Sequence, residues 1–196
     1  MIAEDVMLVE TISIIDGKAL HLEYHQKRLN MSQKALFSNF SLICLSDILK
    51  PPLNSEQLKC RVIYADELID ISYAIYHEKV VKNLKLIESD IDYSFKYSNR
   101  EELNALYTKR EDADDVLIAK NGLITDVSIA NIAFWDGYRW ITPKSPLLKG
   151  TTRERLIKSG FLVQRDIKID EIKKFESFAL MNAMIGFKPI KNGTIS

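Results

Sequence analysis

Asp16-Gly17, Asn121-Gly122 and Asp136-Gly137 punctuate runs of β-branched and aliphatic residues. Such dipeptides tolerate the left-handed backbone that a two-residue hairpin turn requires, so a chain marked this way folds back on itself as strands. Val6 to Ile15 reads as a strand entering the first turn. Val116–Ala119 and Leu123–Thr125 flank the second, and Ile129–Trp135 and Tyr138–Thr142 flank the third. Cys60–Ala65 and Leu68–Tyr76 read as a pair across Asp66-Glu67, with Asn83–Glu88 as another strand. Phe161–Asp166, Ile169–Lys174 and Phe178–Met181 read as strand, short helix and strand.

Helical periodicity interrupts this pattern. Leu22, His25, Leu29, Ser32, Gln33 and Leu36 fall on or near one face over Leu22–Leu36. His25 and Arg28, three residues apart, share a side of that helix. Asn99–Arg110 reads as a helix with Asn99 as its cap and Glu101 and Glu102 in its first turn, where the macrodipole favours acids. Thr151–Lys158 is a third helix, and a short helical segment is expected between Phe37 and Leu58. The class is therefore α/β. The polar stretch Glu78–Lys82 reads as a linker, giving a small N-terminal α/β lobe over residues 1–82 and a larger C-terminal lobe over 83–196.

Charge narrows the choice of partner. Lys plus Arg and Asp plus Glu number 27 each, so no global field attracts nucleic acid or an anionic membrane, and no basic aromatic face is visible. Cys44 and Cys60 lack metal-ligand spacing, so neither a disulfide scaffold nor a metal site is expected. Met1–Asp5 is acidic and unlike a secretory signal, and no apolar run is long enough to span a membrane. A cytoplasmic protein is expected.

Chemistry concentrates at three places in order: Lys96 within Phe95-Lys96-Tyr97, Asp126 after Thr125, and Gly150-Thr151-Thr152-Arg153 at a helix start. A Schiff-base enzyme of pyridoxal phosphate needs an amine for the aldehyde, a carboxylate for the pyridine nitrogen and donors for the phosphate. Taken alone, each has a plainer reading: a solvated strand lysine, a turn aspartate, a threonine cap. The amides of Thr151 and Thr152 would form an anion site at a helix N-terminus, and Arg28 would add a guanidinium fork. His25 has a surface reading, and Asn131 reads as a structural residue bonded to a neighbouring loop. Arg61, Arg100 and Arg153 are candidates for substrate carboxylates. Trp135 and Trp140 read as core or dimer contacts, and Lys168–Lys174 as a solvated face.

The order and wording of these segments resemble the class IV aminotransferase family, pyridoxal-phosphate enzymes of fold type IV, and within it the aminodeoxychorismate lyase branch. The segments are Lys96 to Arg100, Thr125-Asp126 through Asn131, Gly150 to Arg153, Asn182-Ala183-Met184-Ile185-Gly186, and His25 with Arg28. Asp126 stands where the family pattern carries Glu. Either carboxylate can pair with a pyridinium, the shorter one through a backbone shift or a water. The resemblance implies a two-lobed fold type IV enzyme whose larger lobe is barrel-like, and a homodimer. It makes Lys96 the catalytic Schiff-base lysine and proton shuttle. It makes Arg28, Lys96, Asp126, Thr151, Thr152 and Asn182 the pyridoxal 5'-phosphate ligands, and places His25 at the substrate.

The implied reaction is removal of pyruvate from 4-amino-4-deoxychorismate to leave 4-aminobenzoate, in folate biosynthesis. A branched-chain or D-amino acid aminotransferase would use the same cofactor contacts. A non-catalytic dimer retaining the fold is the reading from a different class.

Overall fold

The computed structural model describes residues 6–196; Met1–Asp5, read above as unlike a secretory signal, lies outside the described residues. The chain forms two compact units. One runs through His77 and takes in Phe95–Asn99; the other comprises Glu78–Ser94 and Arg100–Ser196.

The first unit is a four-stranded antiparallel sheet, in the order β2-β1-β3-β4, packed on a helix. Its strands are β1 (Leu8–Ile15), β2 (Lys18–Ala19), β3 (Leu58–Tyr64) and β4 (Leu68–Ile75), and its helices α1 (Leu22–Leu36) and the short α2 (Leu45–Ile48). Asp16 and Gly17 both take positive φ, 49° and 71°, as the hairpin between β1 and β2 demands. Alternation does the rest. Leu8, Ile12 and Ile14 lie on one face of β1, opposite Tyr64, Cys60 and Leu58 of β3, and with Leu29 of α1 they form the buried core. Burying a leucine such as Leu29 stabilises the unit by about 1.5–3 kcal/mol.

Phe95–Asn99, expected in the C-terminal lobe, belongs to this unit for a backbone reason. Tyr97 bridges antiparallel to Leu8, Val9 N–H donates to Lys96 C=O at 2.9 Å, and Ser98 N–H donates to Met7 C=O at 2.8 Å.

The second unit is built on a mixed sheet of β5 (Asn83–Glu88), β6 (Asp115–Lys120), β7 (Leu123–Val127), β8 (Ala130–Trp135), β9 (Trp140–Pro143), β10 (Leu162–Arg165), β11 (Ser177–Asn182), β12 (Gly186–Ile190) and β13 (Thr194–Ile195). Its helices are α3 (Glu101–Thr108), α4 (Thr151–Lys158) and a 3-10 helix over Ile169–Lys174. The central strand β8 shares one edge between β7 and β9 and gives the other to β11. Leu117, Ile124, Ile132, Phe134 and Phe178 fill the core beside it.

Local differences from the sequence reading have simple causes. Helix α3 starts one turn-residue later than Asn99, with Arg100 at the N-cap and no side-chain capping bond. Asp126 extends β7, and the hairpin turns at Ser128–Ile129 instead. Trp135 and Trp140 are register partners whose rings meet at a tilt, 5.4 Å apart, and Trp140 meets Phe187 of β12. Among the described residues no helix is long and apolar enough to cross a membrane.

Candidate active site

In the first unit, Lys96 is held by the main chain. Its carbonyl is bonded to β1, while Phe95 and Tyr97 on either side pack against the core and meet edge to face at 6.1 Å. Tyr97 N–H also donates to Phe95 C=O at 2.9 Å, a tight turn with the half-buried Lys96 at its centre.

On β1, Glu10 occupies an inward position between Leu8 and Ile12 and is completely buried. Arg28 of α1 grips it with two parallel bonds, Nε to Oε1 at 2.7 Å and Nη2 to Oε2 at 2.6 Å. His25, one turn earlier and 1% exposed, places Nδ1 2.6 Å from Oε2. Burial alone would raise the Glu10 pKa. The Arg28 charge and bonds, and then the His25 bond, outweigh it and hold the carboxyl at about 2. The same burial, together with the Glu10 charge, pushes the Tyr64 hydroxyl up. His25 is thus no surface histidine. It is enclosed, with its ring committed to Glu10.

The second unit carries the acid. Asp126 and Asn131 face each other across the β7–β8 hairpin. Asn131 Nδ2 donates to Asp126 Oδ1 at 2.7 Å and to Leu148 C=O at 2.8 Å, and Leu148 N–H donates to Asp126 Oδ2 at 2.9 Å. Asp126 is 4% exposed. Burial pushes its carboxyl from the usual 3.8 up to about 7, against the Leu148 and Asn131 donors and the Arg153 charge, which favour the ionised form. Each carboxylate oxygen keeps a second lone pair for another donor.

Gly150 precedes α4, and a methyl group there would collide with the Asn131 side-chain oxygen. Thr151 and Thr152 follow, both buried, in the first turn of α4, where main-chain N–H groups lack intrahelical partners. Asn182 spends its oxygen on the N–H groups of Met184 and Ile185 and donates to Ile129 C=O, tying the turn after β11 to the β7–β8 turn.

Of the three arginines considered for substrate carboxylates, Arg153 is the most enclosed. It is 5% exposed, and Nη2 donates to Pro143 C=O at 2.6 Å and to Gln164 Oε1 at 3.1 Å. Arg100 donates to Ser128 C=O at 2.8 Å and lies over the Tyr93 ring, and Arg61 is half-buried on β3. The sequence reading missed Glu10 and the Leu148 amide. For Glu10 the signal was present, an acid at an inward position of an otherwise apolar strand face. For a main-chain donor in a loop there is none. Among the described residues no group of three or more His, Cys, Asp or Glu could hold a metal ion.

Comparison with known proteins gives these arrangements a setting. The family model for amino-transferase class IV matches residues 94–192. An uncharacterized protein of Haemophilus influenzae is 37% identical over 188 residues, covering 91% of this chain and 98% of that one. A crystal structure from Haemophilus somnus, provisionally described as a 4-amino-4-deoxychorismate lyase, superposes with a TM-score of 0.87 at 32% identity, covering 93% of this chain and 98% of that one. A hypothetical aminotransferase of Mycobacterium tuberculosis in its PLP-bound form has a TM-score of 0.75 at 16% identity, covering 97% and 81% of the two chains, a likeness of fold alone.

Proposed function

Because this chain belongs to the amino-transferase class IV family, we propose that it is a pyridoxal-phosphate-dependent lyase that removes pyruvate from 4-amino-4-deoxychorismate and leaves 4-aminobenzoate. The architecture is that of fold type IV enzymes. The observation that carries an enzymatic reading is the Lys96 segment, fixed to β1 and to Met7 just before it by two main-chain hydrogen bonds, with its flanking aromatics packed in the core. The lyase assignment leans on the description of the Haemophilus somnus relative.

The donor set suits the cofactor: an amine on a rigid support, a buried carboxylate with lone pairs to spare, a guanidinium, and the first-turn amides of a helix. When bound, pyridoxal phosphate supplies a sink for the electron pair released at the amine-bearing carbon. Lys96 would hold the cofactor through its amine and would take the proton from that carbon of the substrate. Its fixed main chain returns the amine to one place in each cycle. Asp126, poised near neutrality, would face the pyridine nitrogen and share a proton with it. The Thr151 and Thr152 amides would bind the phosphate, with Arg28, whose Nε–Nη2 edge is held by Glu10, contributing its charge. Asn182 braces the turns around these groups, and His25 serves substrate binding at one remove, by steadying the Glu10–Arg28 pair. A homodimer in the cytoplasm completes the reading.

The test is a visible spectrum of the purified protein with pyridoxal phosphate, before and after borohydride, alongside Lys96→Ala. A band bleached by borohydride, cofactor mass on the Lys96 peptide, and loss of both in the variant are expected, followed by pyruvate release from aminodeoxychorismate. Cofactor attachment with 2-oxoglutarate-dependent amino transfer and no pyruvate would make it an aminotransferase. No band in the wild type would leave a non-catalytic member of the fold.

A further inference from the structure

The geometry points to Asn131 as the positioning residue for Asp126: its amide, wedged between the carboxylate, the Leu148 carbonyl and Gly150, aims the acid. The inference rests on the reading of Asp126 as the acid that faces the pyridine nitrogen. An aspartate is one methylene shorter than the glutamate of the family pattern, so its direction is set more strictly by what holds it. Here each oxygen has its own donor from this chain: the Asn131 amide at 2.7 Å on Oδ1 and the Leu148 N–H at 2.9 Å on Oδ2.

The Asn131 amide is itself fixed from two further sides. Its other N–H goes to Leu148 C=O at 2.8 Å, so one side chain grips the loop that donates to the other carboxylate oxygen. Its oxygen lies against Gly150, where any side chain would strike it. Gly150 has φ −69° and ψ 145°, a conformation open to every residue, so the absence of a side chain there serves the Asn131 contact and not the backbone. Among the described residues the charged group that acts on Asp126 is Arg153, whose Nη2 is held by Pro143 C=O and Gln164. Asn131 is therefore the side chain through which the acid's protonation is set at close range.

The experiment follows the Asp126 carboxyl directly, by carbon NMR of aspartate-labelled protein without cofactor, across pH 5 to 9, using Asp126→Asn to assign the signal. In Asn131→Ala the midpoint should rise by about one to two pH units, the equivalent of one lost hydrogen bond to a charged group. Gly150→Ala, which displaces the same amide from the other side, should raise it in the same direction. Asn131→Gln, which restores an amide, should bring it part of the way back. With pyridoxal phosphate bound, the pH midpoint of the visible band should move with the carboxyl.

An unchanged Asp126 midpoint in a folded Asn131→Ala or Gly150→Ala protein overturns the inference. If Asn131→Ala does not fold, Gly150→Ala alone decides. A wild type that binds no pyridoxal phosphate, yet whose Asp126 midpoint still shifts in the variants, would sink the proposed function and leave the Asn131 contact standing.

Discussion

Replacing Glu10 by glutamine should cost the first unit a pH-dependent share of its stability. In the wild type the carboxyl is held at about 2 from its ordinary 4.5, chiefly because Arg28 outweighs the burial penalty. At about 1.4 kcal/mol for each pH unit this amounts to about 3 kcal/mol. The sign follows from a depressed acid: the contribution is complete above pH 4.5 and drains away as pH falls toward 2. By pH 3 about 2 kcal/mol of it should be gone. The glutamine cannot titrate and turns an NH₂ toward two donors, Arg28 and His25. Breaking a buried pair in this way costs about 3–5 kcal/mol at neutral pH. Urea unfolding of both proteins from pH 7 to pH 3, followed by far-ultraviolet circular dichroism, should show a gap that narrows by about 2 kcal/mol. Trp135 and Trp140 both belong to the second unit, so their fluorescence supplies a separate trace. A gap that stays constant across the range would refute the account of Glu10 as a carboxylate held ionised by Arg28.

Asp126 should contribute the opposite slope. Its folded pKa is raised from 3.8 to about 7, so the folded state keeps a proton that the unfolded chain has lost. Stability from this group should fall as pH rises between those values, and a comparison of wild type with Asp126→Asn by urea unfolding at pH 5 and pH 8 should show the difference. Gly193→Ala should lower stability by about 1–3 kcal/mol in thermal or chemical unfolding. A methyl group there would come within 2.6 and 2.7 Å of the Phe178 ring and 2.9 Å of Ile190.

Helices α1 and α4 were legible to the residue because a periodic face or a threonine-led start marks them locally. Strands β12 and β13 were not. The first contains Pro189, which argues against a strand until β11 is there to pair with it, and the second is two residues long and exists through parallel pairing with β5, far away in sequence. Asn192-Gly193, with Asn192 at φ 55°, was the available turn signal just before it. At the site, residue types were legible and their commitments were not. Asp126 looked like a turn residue because Ser128–Ile129 carries none of the usual hairpin chemistry. His25 and Arg153 are residue types usually found at the surface, and only tertiary contacts with Glu10 and with Pro143 and Gln164 explain their burial. Both cases rest on contacts ten to fifteen residues apart, which join different elements and which a periodicity pattern does not register.

The excursion of Phe95–Asn99 also sets an order of events in synthesis. Residues up to His77 can form β1, β3 and β4 early, but the edge of β1 near Val9 stays open until the later segment arrives to pair with it. An open edge is a place where another strand, including one from a second unfinished chain, can add. The lysine thus joins the sheet by a long-range closure from a segment synthesised after the strands it pairs with, and a fragment ending at His77 would expose the same edge.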